Sequence, residues 1–171
     1  MTHRRTIVVT GGLSGIGKAI SENFLKSGER VIALDLSKDK SDSHDEIDLL
    51  VINAGVVPHW QETAAVDIQD FERVIKVNVI GAMITLKSAT PHLRSPGGKV
   101  VMTGSINSWK GDPNLASYVA SKHGIAGLVK SAAMDLGRRG INVNAVAPGA
   151  IATEALTHRI LERNGNDVER A

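Results

Sequence analysis

Short apolar runs rich in β-branched residues alternate along this chain with longer stretches of helical periodicity. Continuous apolar runs are typical of strands buried on both faces, and their alternation with helices favours a parallel sheet covered by helices. The sequence therefore predicts an α/β fold with a doubly wound parallel sheet. The predicted strands are 5–10, 30–34, 48–52, 98–103 and 141–146, and the predicted helices are 15–27, 67–90 and 115–137.

The chain length suits one domain with one sizeable core, because domains commonly take about 150 residues. We expect a single domain over residues 1–171, ending in a short helix or tail over 154–171. The segment 37–46 contains no apolar residue, so it cannot form a helix with an apolar face. We therefore expect part of the sheet to lack its cover.

Composition argues against several classes of function. The absence of cysteine excludes disulfides, thiolate metal sites and cysteine nucleophiles, and the six histidines show no ligand spacing, so no metal is expected. A net charge of +2 and an aromatic content of 3% argue against nucleic-acid binding. No apolar run is long enough for a signal peptide or a membrane span. We expect a soluble, cytoplasmic protein.

The first predicted strand leads directly into a glycine-rich loop, TGGLSGIG, which opens the first helix. Gly11, Gly15 and Gly17 have the uses that a phosphate loop requires, which are a tight turn, close approach to a pyrophosphate and close helix–strand packing. The amino end of the helix offers free N–H groups to phosphates. A glycine-rich turn that binds nothing is the alternative, and the position between strand and helix makes it less favoured.

Asp35 ends the second predicted strand, 18 positions after Gly17, where an acceptor for a ribose 2′-hydroxyl is expected. Its carboxylate would repel the 2′-phosphate of NADP, and Ser14 provides no positive charge in the loop to offset that repulsion. NAD is therefore favoured over NADP. NADP remains the alternative, because Lys38 and Lys40 follow closely after Asp35 in the sequence and carry positive charge. The alternative is that Asp35 is a solvated turn residue.

Tyr118 and Lys122 are four residues apart in the last predicted helix and so share one face. A tyrosine used as a general acid or base must titrate nearer the working pH than about 10, and a neighbouring ammonium favours its phenolate form. Ser105 follows the fourth strand, at the end of the sheet where open parallel sheets build their sites. Each signal is weak alone, since the pair also suits a helix surface and the serine suits a turn.

Asn78 stands among apolar residues in the helix predicted over 67–90. A buried amide must be hydrogen-bonded, so Asn78 is either a core amide or the holder of a water that relays protons. Asn107 and Trp109, which closely follow Ser105, are candidates to line a substrate pocket. Loop packing is an equal alternative for Trp109.

These motifs occur together in an order that resembles the short-chain dehydrogenase/reductase family, and the resemblance extends from about residue 5 to residue 153. It is carried by TGGLSGIG, Asp35, the NAG of 53–55, the VNV around Asn78, Ser105, the YVASK of 118–122 and the PGAIAT of 148–153. The resemblance implies a Rossmann-like sheet and hydride transfer between a nicotinamide cofactor and a secondary alcohol or ketone. The family normally has a further strand and helix between Asp35 and Asp48, and a substrate lid and edge strand after Thr153. We expect this chain to lack the strand–helix unit and the edge strand.

The resemblance also implies residue roles. Tyr118 would be the acid or base, Lys122 would bind the nicotinamide ribose, Ser105 would orient the substrate oxygen and Asn78 would position a relay water. A homodimer through helices 67–90 and 115–137 is plausible, and the only other partner implied is a small alcohol or carbonyl compound. The alternative function is a catalytically impaired dinucleotide-binding module, or a truncated variant of such an enzyme. The implied cofactor contacts are Gly11, Ser14, Gly15, Ile16, Gly17, Asp35, Leu36, Asn53, Ala54, Gly55, Tyr118, Lys122, Pro148, Gly149, Ile151 and Thr153.

Overall fold

The computed structural model describes residues 4–35, 46–153 and 156–157. Within these ranges, five strands alternate with helices, as the apolar runs predict. The strands are β1 (Thr6–Thr10), β2 (Arg30–Leu34), β3 (Leu49–Ile52), β4 (Lys99–Thr103) and β5 (Asn142–Val146). The α-helices are α1 (Gly15–Lys26), α2 (Ile68–Ile75), α3 (Gly81–Ala89) and α4 (Ala116–Gly137), and short 3₁₀-helices occupy Thr63–Ala65, Thr90–His92 and Ile106–Ser108.

The five strands form one parallel sheet in the order β2-β1-β3-β4-β5, which confirms the predicted fold class. The last residue of β1, Thr10, pairs with Leu34 of β2 on one side and with Ile52 of β3 on the other. The chain thus leaves β1 toward one edge of the sheet and returns to the opposite side through β3. Such a reversal creates a crevice at the carboxyl ends of the strands, where open α/β sheets bind ligands.

The sheet buries apolar side chains on both faces, because successive residues of a strand point to opposite sides. On one face, Val8, Leu50 and Val100 pack in a large core with residues of α3 and α4. On the other face, Ile7 and Val9 form a smaller core whose helical side chains come from α1. Val31 to Leu34 of the edge strand β2 remain only half-buried, in keeping with the incomplete cover expected there.

Two sequence-based expectations fall largely outside the described residues. The polar segment 37–46 is described only at residue 46, and the short helix or tail expected over 154–171 only at residues 156–157, which are helical. Among the helices of the described ranges, none is long and apolar enough to cross a membrane.

The prediction of a single regular helix over 67–90 is wrong, because a wider turn interrupts that helix. Residues Lys76–Ile80 form a π-helical turn, here called the π-turn, between α2 and α3. Such turns occur mostly as single insertions within α-helices and often at functional sites. Asn78 lies at the centre of the π-turn and is 2% exposed. Apolar periodicity did not reveal this turn, because one extra residue changes the pattern too little.

Candidate active site

The glycine-rich loop bridges β1 and α1 in a backbone conformation that glycine allows. Gly11 and Gly15 have φ angles of +64° and +48°, in the left-handed region that side chains disfavour. Gly17 faces the loop, and a Cβ atom there would overlap the carbonyl oxygen of Gly11 and lie 2.6 Å from Nδ2 of Asn53. The helix therefore packs directly on the loop, as predicted for a phosphate-binding turn.

Asp35 lies beside this loop at the end of β2. Its Oδ2 atom accepts a hydrogen bond of 3.3 Å from the backbone N–H of Leu13. Asp35 does not line the cavity described below. Leu36, the next predicted cofactor contact, lies outside the described residues.

Hydrogen bonds join the carboxyl ends of three strands beneath the loop. The Thr10 hydroxyl accepts from the backbone N–H groups of Asn53 and Ala54, at 3.1 and 3.2 Å. The Asn53 side chain donates to the Gly11 carbonyl at 3.4 Å and accepts from the Thr103 hydroxyl at 3.1 Å. The predicted NAG segment is thus tied to both β1 and β4. Sequence reasoning did not assign Thr10 or Thr103 to the site.

Lys122 is buried, with 6% of its surface exposed, and it points from α4 to the end of β4. Its Nζ atom donates to the Thr103 carbonyl at 2.8 Å and lies 5.5 Å from the centre of the Tyr118 ring. The structure therefore brings the predicted pair together. Burial lowers the pKa of Lys122 from 10.5 to about 8, because a desolvated ammonium is disfavoured. At neutral pH this group remains mostly charged.

Ser105 is both a site residue and a turn-forming residue, which were the two alternatives for its position in the sequence. It lines the cavity and also caps the 3₁₀-helix Ile106–Ser108. Its hydroxyl donates to Oδ1 of Asn107 and accepts from the Asn107 backbone N–H, both at 3.2 Å. The Ser108 hydroxyl accepts in return from the Ser105 backbone N–H at 3.2 Å. This reciprocal cap sets the position of the Ser105 side chain at the end of β4.

Asn78 is a core amide in this structure. Its Oδ1 accepts from the Val56 backbone N–H at 2.7 Å, and its Nδ2 donates to the Val56 carbonyl at 2.9 Å. Nδ2 also donates to the Ser121 hydroxyl at 3.0 Å. Both amide hydrogens are therefore engaged. Asn78 does not line the cavity, although its partner Val56 does.

A cavity of about 480 Å³ opens at the carboxyl edge of the sheet. Most of the predicted site residues line it. Exceptions within the described ranges are Gly17, Asp35, Asn78 and Trp109, of which Trp109 is 64% exposed. The predicted residues that line the cavity are Gly11, Ser14, Gly15, Ile16, Asn53, Ala54, Gly55, Ser105, Asn107, Tyr118, Lys122, Pro148, Gly149, Ile151 and Thr153.

Sequence reasoning missed the remaining wall of the cavity. Most of these residues are apolar, and apart from Ala150 of the PGAIAT segment none belongs to a motif. They are Val56, Val57, Trp60, Thr103, Gly104, Ile106, Asp112, Leu115, Ala150 and Leu156. In the part of the chain that the structure describes, no group of three His, Cys, Asp or Glu residues is placed to hold a metal ion.

The sequence is similar to those of known dehydrogenases. A family model described as short chain dehydrogenase matches residues 5–44 and 38–164. "Short-chain dehydrogenase reductase 3c" of Arabidopsis thaliana is 32% identical, over 90% of this chain and 73% of the relative. The mitochondrial "(-)-isopiperitenol/(-)-carveol dehydrogenase" of Mentha piperita is also 32% identical, over 96% of this chain and 76% of the relative.

Solved structures are similar over nearly the whole chain. The ligand-free aldohexose dehydrogenase of Thermoplasma acidophilum superposes with a TM-score of 0.86 at 28% identity, covering 98% of this chain and 75% of the other. The 3-ketoacyl-(acyl-carrier-protein) reductase of Brucella melitensis, complexed with NADH, superposes with a TM-score of 0.79 at 26% identity, covering 90% and 78%.

The alignments also show an internal shortening. The alignment with the Arabidopsis relative spans 189 positions, whereas 90% of this 171-residue chain is only about 154 residues. About 35 positions of that alignment therefore have no counterpart here (189 less 154). The two stretches matched by the family model overlap at residues 38–44, which locates a break in the family pattern after β2. This agrees with the strand–helix unit expected to be missing after Asp35.

Proposed function

The chain belongs to the short-chain dehydrogenase/reductase family of oxidoreductases, and we propose that it transfers a hydride between NAD and a secondary alcohol or ketone. One observation carries the proposal. Tyr118, Lys122 and Ser105 line the same cavity as the glycine-rich loop, so a proton-transfer group and a phosphate-binding turn face one space. The glycine-rich loop alone would indicate only nucleotide binding. The Tyr118–Lys122 pair alone would also suit an ordinary helix surface.

The residues of the cavity fit a dinucleotide. Gly11 and Gly15 leave the loop without side chains where a pyrophosphate must approach closely, at the amino end of α1. We assign Ser14 and Ile16 to the same loop, Asn53 to Gly55 to the adenine-side ribose, and Pro148 to Thr153 to the nicotinamide carboxamide. When bound, the nicotinamide supplies or accepts the hydride.

Tyr118 performs the proton transfer in this proposal. In oxidation its phenolate takes the hydroxyl proton of the alcohol, and in reduction its phenol returns a proton to the carbonyl oxygen. Lys122 favours the phenolate by its positive charge, which burial has not removed at neutral pH. Asn78 uses both amide hydrogens within the protein, so only its Oδ1 atom, which already accepts from Val56, has capacity left for the proposed relay water.

Ser105 orients the substrate oxygen. Its hydroxyl hydrogen now points to Oδ1 of Asn107 at 3.2 Å, and a rotation about the Cβ–Oγ bond would turn it to the substrate. Val57, Trp60 and Leu115 offer apolar surface in the same cavity, which suits a small molecule with an apolar body. The mint relative is named as a dehydrogenase of isopiperitenol and carveol, both alcohols.

A homodimer belongs to the same proposal. Ile80 of the π-turn, Met83 and Ile84 of α3 and Met134 of α4 are large apolar side chains with 44% to 78% of their surface exposed. Exposed apolar surface of this kind is typical of a contact between subunits. The two helical segments that carry these residues are those expected to pair.

The direct test mixes the protein with NAD and a panel of secondary alcohols and follows the absorbance of NADH. We expect turnover of at least one alcohol and saturation with NAD. The second candidate is a dinucleotide-binding module without turnover, which the absence of about 35 family positions favours. Saturable NAD binding without turnover across the panel would support that candidate. No binding of NAD or NADP would contradict both.

Cofactor preference depends on the charge of Asp35 in this proposal. In Asp35→Asn the amide oxygen can still accept from Leu13, while the charge that repels a 2′-phosphate is gone. We expect the ratio of kcat/KM for NADP to that for NAD to rise by about tenfold or more, since one charge at close range is worth several kcal/mol. Asp112→Asn, which removes a carboxylate elsewhere on the cavity wall, should leave the ratio unchanged. An unchanged ratio in Asp35→Asn would remove Asp35 from cofactor selection.

A further inference from the structure

Ser121 precedes Lys122 on α4 and is completely buried, with 0% of its surface exposed. Its hydroxyl donates to the backbone carbonyl of Tyr118 at 2.8 Å and accepts from Nδ2 of Asn78 at 3.0 Å. Serine often bonds to a carbonyl one turn back in its own helix. The second bond differs, because it reaches from α4 to the π-turn. The proposed chemistry makes no use of Ser121.

The bond to the Ser121 hydroxyl is one of three that fix which way the Asn78 amide points. A hydroxyl has one hydrogen to donate, and the Tyr118 carbonyl takes it. The remaining capacity of the hydroxyl is to accept, so the Asn78 atom that faces it must be the NH₂ group. Oδ1 of Asn78 is then directed to the Val56 backbone N–H, at 2.7 Å.

The bonds of Asn78 carry this orientation to the cavity wall. Asn78 holds both the N–H and the carbonyl of Val56, which lines the cavity. A Cβ atom on the adjoining Gly55 would lie 3.2 Å from Oδ1 of Asn78, so the loop passes closely over the amide. Tyr118, Ser121, Asn78 and Val56 are therefore consecutive links between the proton-transfer helix and the wall of the cofactor cavity.

We propose that Ser121 is a positioning residue, whose hydroxyl fixes Tyr118 relative to the cavity wall at Val56. The inference rests on the proposed function, in which Tyr118 moves the proton. Small displacements of a catalytic group cost rate more than they cost binding, because the reaction requires close alignment. Loss of the hydroxyl should therefore lower kcat while leaving the affinity for cofactor nearly unchanged.

The test compares Ser121→Ala with Ser117→Ala, which removes the hydroxyl of another buried serine of α4, 6% exposed. We expect Ser121→Ala to lower kcat by about 10- to 100-fold, with the KM for NAD within about twofold. Ser117→Ala should keep kcat within about twofold of the wild type. Ser121→Thr retains the hydroxyl and should recover most of the lost rate. A Ser121→Ala variant as fast as Ser117→Ala would overturn the proposal.

Amide hydrogen exchange gives a readout that does not depend on turnover. In Ser121→Ala the amide of Val56 should exchange faster, because the Asn78 side chain loses one of the three hydrogen bonds that hold it, while amides of β1 should keep their protection. In Ser117→Ala the exchange at Val56 should match the wild type. If the wild type has no turnover, the proposed function fails and exchange at Val56 still decides the role of Ser121. Unchanged exchange at Val56 in Ser121→Ala would contradict that role.

Discussion

Tyr118→Phe should abolish turnover, with kcat reduced by about 10³-fold or more, because general acid–base catalysis contributes about 10²- to 10⁴-fold. The variant removes the hydroxyl oxygen and keeps the ring that packs against Lys122. Tyr118 is the chain's only tyrosine, so no other phenol can take over the proton transfer. The measurement is steady-state NADH formation with the best alcohol of the panel.

Cofactor binding separates loss of chemistry from loss of the site. NAD should bind to Tyr118→Phe with an affinity within about tenfold of the wild type, since the phenol contributes one hydrogen bond at most, worth about 1 kcal/mol. The thermal unfolding midpoint should also remain close to that of the wild type, because the side chain is only half-buried. A variant that kept more than a tenth of the wild-type kcat would exclude Tyr118 as the acid or base.

Gly17→Ala should lower the affinity for NAD by about 100-fold or more, because the added Cβ atom has no room. That atom would overlap the Gly11 carbonyl oxygen and lie 2.6 Å from Nδ2 of Asn53, so the helix and the loop must separate. Separation disturbs the close backbone approach that a pyrophosphate needs. Titration of NAD, followed together with the thermal unfolding midpoint, measures both effects.

Gly127→Ala is the matched control for the glycine substitution. Gly127 lies in α4, and a Cβ atom there meets nothing within 4 Å among the neighbouring residues. Because alanine favours helices more than glycine by about 1 kcal/mol, this variant should be as stable as the wild type or more stable, with unchanged NAD affinity. A folded Gly17→Ala protein that binds NAD normally would mean that the loop is not the phosphate site.

The strands and the motif residues could be predicted from sequence because each depends on a local pattern. A buried parallel strand is a continuous apolar run, and β2 lies at its predicted boundaries. The residues of the glycine loop, NAG and YVASK motifs follow strands or begin helices, so the sheet brings them to one edge. Fifteen of the predicted site residues consequently line one cavity.

The remaining features depend on contacts between distant parts of the chain. Trp60 and Asp112 reach the cavity from loops whose course no periodicity describes. Trp109 stands only four residues after Ser105, yet the 3₁₀-helix between them leaves it exposed outside the cavity. Ser121 resembles any helical serine in sequence, and its importance becomes visible only when Asn78 is seen beside it.

The π-turn also governs the rotational phase of the long helical segment. The buried residues Val74, Asn78, Ala82 and Leu86 recur at every fourth position. In a regular α-helix each step of four would turn the line of side chains by about 40°, carrying Leu86 about 120° away from Val74. The wider turn offsets part of that rotation, so both ends reach the core.

Deleting one residue within 76–80 would restore a regular helix in which Val74 and Leu86 lie eleven positions apart and differ by only about 20° around the axis. Both side chains would therefore stay in the core, and the widened backbone around Asn78 would be lost. The π-turn thus adds one residue at Asn78 without changing the face that either half of the helix presents to the core.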